Sequence, residues 1–198
     1  MMFHMITNRT ATLILDAAYV IWWVPEMIYS FTRRATINAK KADDGHSGAV
    51  LMACIWSGIF LAQALMYWGT QFFISWRPEI IFSLGVLLMI LGVAFRWYAI
   101  QVLGKYFTFQ IATHHEQIVV QKGPYRFIRH PSYTGTLITM FGLGLAYTNW
   151  LSLVSLLAAG LIGYSYRAHV EEAVLIRELG DPYREYIQHT KRFIPFVY

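Results

Sequence analysis

Two stretches of the chain gather most of the side chains that could do chemistry. The first runs from Gln117 to Gly135, QIVVQKGPYRFIRHPSYTG. Tyr125, Arg126, Arg129, His130, Ser132 and Tyr133 crowd around Pro124 and Pro131. Gly123-Pro124 and His130-Pro131 are turn or helix-boundary signals, and Pro131 suits the first position of a helix. A helix N-terminus leaves backbone N–H groups without intrahelical partners, so one flanked by His, Tyr and Arg suits a carboxylate or a phosphate. On composition alone the same stretch also reads as an ordinary basic loop beside a membrane. The second stretch is Arg167-Ala-His-Val-Glu171-Glu172. Arg167 and Glu171 stand at i, i+4 and share a helix face. The plain reading is a surface ion pair worth at most about 1 kcal/mol. Yet the pair follows directly on an apolar run, where water meets lipid. There an arginine can fix an anionic acceptor and a glutamate can hold an amine or a ribose hydroxyl.

Other polar residues carry less. His114, His115 and Glu116 are adjacent, so they do not face one another on a helix, and no H-E-x-x-H or second ligand set accompanies them; no metal site is expected. The single cysteine, Cys54, can form neither an intrachain disulfide nor a thiolate metal site. No G-x-S-x-G turn offers a serine nucleophile. Gly142 and Gly144 form a G-x-G, but inside an apolar run with no strand before it, so helix packing is the expected use. Asp16 and Glu26 fall in the first apolar run, and one or both are expected near an interface. Arg96 is expected to snorkel or to pair with a carboxylate.

The elements that position these groups follow from composition. Of 198 residues, 57% are hydrophobic, 17% aromatic and only 14% charged. That excludes a disordered chain, a coiled coil and a disulfide scaffold, and leaves too few charges for a water-facing surface. The fold class expected is an all-α integral membrane protein with about five transmembrane helices. The spans are placed near 10–31, 49–68, 80–103, 132–148 and 150–166, the last two forming a hairpin turned at Thr148-Asn149. The net charge of +5 would suggest nucleic acid in a soluble protein. Here Lys and Arg sort by side instead: Arg33, Arg34, Lys40 and Lys41; Lys105, Lys122, Arg126 and Arg129; and Arg167, Arg177, Arg184, Lys191 and Arg192 fall on one face, against Arg9 and Arg77 on the other. The positive-inside rule makes the basic face cytoplasmic, with the N-terminus out and the C-terminus in. The tail beyond the last span reads as amphipathic helix over 168–179, ended by Gly180 as an αL cap; Asp181 then caps a second short helix with Pro182 at its first position. The whole chain, 1–198, is expected to be one membrane domain with polar elements at 104–131 and 167–198.

At the two polar stretches the chain closely resembles the isoprenylcysteine carboxyl methyltransferase family, which overlaps with the phospholipid methyltransferases. The matching residues are G-x-Y-x-x-x-R-H-P-x-Y-x-G at Gly123 to Gly135, E-E-x-x-L-x-x-x-x-G-x-x-Y-x-x-Y at Glu171 to Tyr186, and R-F-I-P at Arg192 to Pro195. The resemblance implies a membrane enzyme that uses S-adenosylmethionine without a Rossmann domain, releasing S-adenosylhomocysteine. It implies that Gln110, Gln117, Ile118, Val119, Val120, Tyr125, His130, Pro131, Ser132, Tyr133 and Glu171 bind the cofactor, and that Arg167 binds the acceptor, with Arg167 and Glu171 as the catalytic residues. Gln117 and Val119 depart from the His and Leu common in the family. The implied partners are a lipidic or prenylated acceptor and membrane lipid, with no nucleic acid and no metal.

A carboxylate acceptor is already ionised at neutral pH, so it needs orientation and shielding more than a base. Arg167 supplies a fork of donors that Lys lacks. An amine or thiol acceptor would instead call on His130 or a glutamate as base. The alternatives are therefore a phospholipid amine or a small thiol on the same scaffold, and, from another class, a non-catalytic transporter or assembly subunit. The last is disfavoured because the polar residues gather at one face rather than at mid-membrane.

Overall fold

The computed structural model describes residues 9–34, 40–41, 45–107, 112–113 and 118–194. These are nearly all helical: α1 Arg9–Arg34, α2 Ser47–Trp68, α3 Pro78–Leu103, α4 Pro131–Ala146, α5 Trp150–Leu179 and α6 Asp181–His189. Two-residue strands β1 Lys40–Lys41 and β2 Ala112–Thr113 pair antiparallel. Among the described residues, 4 helices (α1, α2, α3 and α5) are long and apolar enough to cross a membrane. Helix α4 has 16 residues, roughly 24 Å against a hydrocarbon core of about 30 Å. It is the short arm of the expected hairpin and is not among those 4 helices, so the exact count of about five spans stays an expectation. The long helices expose Leu13, Val20, Phe60, Leu61, Leu91 and Ile162 along their outer faces, the pattern lipid selects and water does not.

Close helix contact is set by small residues. A Cβ on Gly85 of α3 would lie 2.6 Å from the carbonyl oxygen of Gly142 on α4. One on Gly135 of α4 would lie 2.7 Å from the backbone nitrogen of Arg96 on α3. Backbones that approach this closely hold α3 and α4 in one register. Gly142 therefore packs helices, as its place in the sequence suggested.

The bundle has two polar ends. At one, Phe73 bridges Asn149. The Asn149 side chain accepts from the N–H groups of Leu151 and Ser152 at 3.0 and 3.1 Å and donates to the Gly69 carbonyl at 2.8 Å. It thus caps α5 and ties the hairpin turn to the end of α2. At the other end, β1 pairs with β2 in the register Lys40↔Thr113, which brings the α1–α2 and α3–α4 connections together.

Helix α5 does not stop where its apolar run stops. Its 30 residues extend roughly 45 Å, too long to lie wholly within a bilayer core of about 30 Å, and its charged part begins at Arg167. The amphipathic tail helix expected over 168–179 is the continuation of this helix. Gly180 has φ 64 and ψ −134, a positive φ outside the αL well, and it is itself the cap of α6. Asp181 is accordingly the first residue of α6 rather than its cap.

Candidate active site

The two polar stretches meet at the end of the bundle that holds β1 and β2. Pro131 opens α4, and the His130 carbonyl accepts from the N–H groups of Tyr133 and Thr134 at 3.0 and 3.1 Å. This turn stacks the His130 and Tyr133 rings, with centroids 5.1 Å apart and planes within 3°. The Tyr133 hydroxyl donates to Glu171 Oε2 at 2.7 Å. The His130 ring lies between both glutamates of α5, Nδ1 at 3.5 Å from Glu171 Oε2 and Nε2 at 3.1 Å from Glu172 Oε1. The side chain of Glu171 is 30% exposed against 7% for Glu172. The first carboxylate is therefore open to a ligand and the second is enclosed.

Glu172 joins the tail to the turn. Arg129 Nε donates to it at 2.7 Å and Arg192 Nη2 at 2.6 Å. Arg129 also reaches the Thr190 and Ile187 carbonyls. Backbone bonds complete the join, from Arg129 N–H to the Lys191 carbonyl at 2.7 Å and from His130 N–H to the Arg192 carbonyl at 3.1 Å. Phe193 is fully buried, and its carbonyl accepts from Thr134 Oγ1 at 2.8 Å. Burial pushes the Glu172 carboxyl up, but its bonds with His130, Arg192 and Arg129 outweigh that and hold it well below the usual carboxylate range.

Arg167 is buried, and its Nη1 donates to Ser47 Oγ at 2.6 Å, linking α5 to the first residue of α2. The Tyr133 hydroxyl, which donates to Glu171, also feels the charge of Arg167. Tyr125 is buried in the Gly123–Arg126 turn, where its carbonyl accepts from the Tyr186 hydroxyl at 2.7 Å. Burial and the charge of Glu171 both push the phenols of Tyr125 and Tyr183 up.

The structure thus brings together Tyr125, His130, Pro131, Ser132, Tyr133, Arg167 and Glu171. Ser132 is buried, and its carbonyl accepts from Arg96 at 3.2 Å. Ile118 is exposed, and Val119 and Val120 are half-buried. Gln110, Gln117 and the His114–Glu116 run lie outside the described residues. Sequence reasoning missed the grip of Arg129 and Arg192 on Glu172, and the part of Ser47. The signal for the first was available as two arginines inside the matching motifs; nothing in the sequence pointed to Ser47. No group of three or more His, Cys, Asp or Glu able to hold a metal occurs among the described residues.

Comparison with known proteins shows what the chain is similar to. A probable protein-S-isoprenylcysteine O-methyltransferase of Oryza sativa subsp. indica is 33% identical over 115 residues, 57% of this chain and 60% of that protein. The protein-S-isoprenylcysteine O-methyltransferase of Saccharomyces cerevisiae is 32% identical over 162 residues, 81% of this chain and 65% of that protein. The chain therefore spans less than two thirds of the length of these curated relatives, 60% and 65%. The solved structure of the eukaryotic intramembrane Ras methyltransferase, an isoprenylcysteine carboxyl methyltransferase, superposes with a TM-score of 0.60 at 27% identity, covering 71% of this chain and 51% of that one. The family model for phospholipid methyltransferases matches residues 80–181, which include all but the first two residues of α3, the whole of α4 and α5, and both polar stretches. The chain belongs to the phospholipid methyltransferase family, alongside the isoprenylcysteine methyltransferases that it resembles.

Proposed function

We propose that this protein is a membrane-embedded methyltransferase that uses S-adenosylmethionine to methylate the carboxylate of a lipid-linked, isoprenylcysteine-like acceptor. The observation that carries the reading is the contact of Tyr133 and His130 with Glu171, beside the buried Arg167. It assembles an open carboxylate, stacked aromatic rings and an arginine fork at one end of the bundle.

The donor set fits a cationic sulfonium cofactor. A partly exposed carboxylate at Glu171 suits an ammonium or a ribose hydroxyl, and the stacked rings of His130 and Tyr133 lie against it. When bound, that cofactor supplies an electrophilic methyl group for in-line displacement. The remaining work falls to the chain's own residues. His130, Ser132 and Tyr133 shape the turn, while Glu171 and Tyr133 bind and orient. The tail, clamped through Glu172, excludes water from above. Arg167, anchored by Ser47, orients the acceptor carboxylate, which needs no proton removed at neutral pH. The acceptor tail reaches the site from lipid and the cofactor from water. With the basic connections at one end, the positive-inside rule sets that end in the cytoplasm and the N-terminus outside.

The family match favours a second reading, methylation of a phospholipid amine. That chemistry needs a base, and His130 between two glutamates is the candidate. The test is an acceptor panel with methyl-labelled cofactor: prenyl-cysteine, phosphatidylethanolamine and a simple thiol. Base-labile label on prenyl-cysteine is expected. Base-stable label on the phospholipid, with none on prenyl-cysteine, refutes the carboxylate reading.

A further inference from the structure

A buried ion pair between helices of a membrane protein is costly and calls for a physical reason. Glu26 of α1 and Arg96 of α3 form a forked pair, Arg96 Nε bonding Oε1 and Nη2 donating to Oε2 at 3.0 Å. Their side chains are only 14% and 9% exposed. The remaining arm of the fork, Nη1, donates at 3.2 Å to the carbonyl of Ser132, which lies between His130 and Tyr133 in the first turn of α4. The close approach of Gly135 to the backbone of Arg96 sets the guanidinium directly under that turn. Helix α1 also meets its neighbours through rings, such as Trp23 on Trp56 at 4.9 Å and Tyr29 on Trp97 at 5.3 Å. Ring contacts are adaptable, whereas a fork fixes direction.

We infer that Arg96, held by Glu26, is a positioning residue that sets the His130–Tyr133 turn for cofactor binding. An apolar pair of similar volume would pack at least as well. What it could not do is hold the Ser132 carbonyl, and Lys could not serve Glu26 and Ser132 with one planar fork. This inference rests on the methyltransferase reading of the turn.

The test uses the full chain in detergent, with calorimetric titration of S-adenosylhomocysteine. Two variants are compared with the parent: Arg96→Lys, and Glu26→Leu combined with Arg96→Met. Both should bind about tenfold more weakly or worse, with the acceptor KM unchanged. The double variant should do so without a lower thermal midpoint, which separates positioning from folding. Binding by either variant within about twofold of the parent overturns the inference. A parent that does not bind refutes the methyltransferase reading, and hydrogen exchange at residues 130–134 then decides the inference by itself. Exchange accelerated there in both variants upholds it, and unchanged exchange overturns it.

Discussion

Replacing Glu172 with Gln should release the tail from the turn. Glu172 is enclosed and holds Arg129, Arg192 and His130 at once. Removing one partner of a buried pair costs about 3–5 kcal/mol. Arg192 keeps 22% of its side chain in water, and Gln still accepts one bond, so the low end, about 3 kcal/mol, applies. The energy belongs to a local opening, in which residues 190–193 lift from residues 127–130. A change of that size raises the opening constant roughly a hundredfold. Hydrogen exchange reads it at the Lys191, Arg129 and His130 amides, which donate across the join. Amides in the middle of α3 serve as the control and should not change. Acid should act the same way on the parent, with a definite sign. The Glu172 carboxyl is held below its unfolded value, so its contribution is fully present above the ordinary carboxylate range and is lost as pH falls beneath it. Glu172 should therefore begin to let go only below about pH 4. Exchange in Glu172→Gln within about threefold of the parent would refute the clamp.

Two further outcomes follow from the same geometry. Arg167→Ala should abolish methyl transfer while leaving S-adenosylhomocysteine affinity within about threefold, read by turnover and calorimetry on one preparation; full turnover would remove Arg167 from the acceptor site. Gly135→Ala forces a Cβ to within 2.7 Å of the Arg96 backbone and should cost about 1–3 kcal/mol, with a lower thermal midpoint in detergent. An unchanged midpoint would mean that α3 and α4 are not locked there.

What could be seen in the sequence was whatever depends on neighbours along the chain. The apolar run from Ala49 to Trp68 lies within α2, Pro131 opens a helix, and Thr148 and Asn149 mark the reversal between α4 and α5. The end of α5 was less legible, because a helix leaving the membrane keeps its backbone bonds and gives no stop signal until Gly180. The meeting of the two polar stretches was readable only through the family resemblance. Contacts across helices depend on register, which small residues such as Gly85 and Gly135 set in three dimensions. No spacing rule links Glu26 to Arg96 or Ser47 to Arg167. Asp16 and Glu26 looked alike in sequence, yet Glu26 is in a buried pair while Asp16 is exposed. The clamp on Glu172 was hidden for the same reason, although Arg129 and Arg192 both lie inside recognisable motifs.

The central claim is that the turn of His130 and Tyr133, closed against Glu171, binds the methyl donor. Calorimetric titration of S-adenosylhomocysteine into the parent and into Glu171→Ala tests it most directly. The account predicts saturable binding by the parent and a loss of about tenfold or more in the variant. Equal affinity in the two proteins would place the donor elsewhere and contradict it.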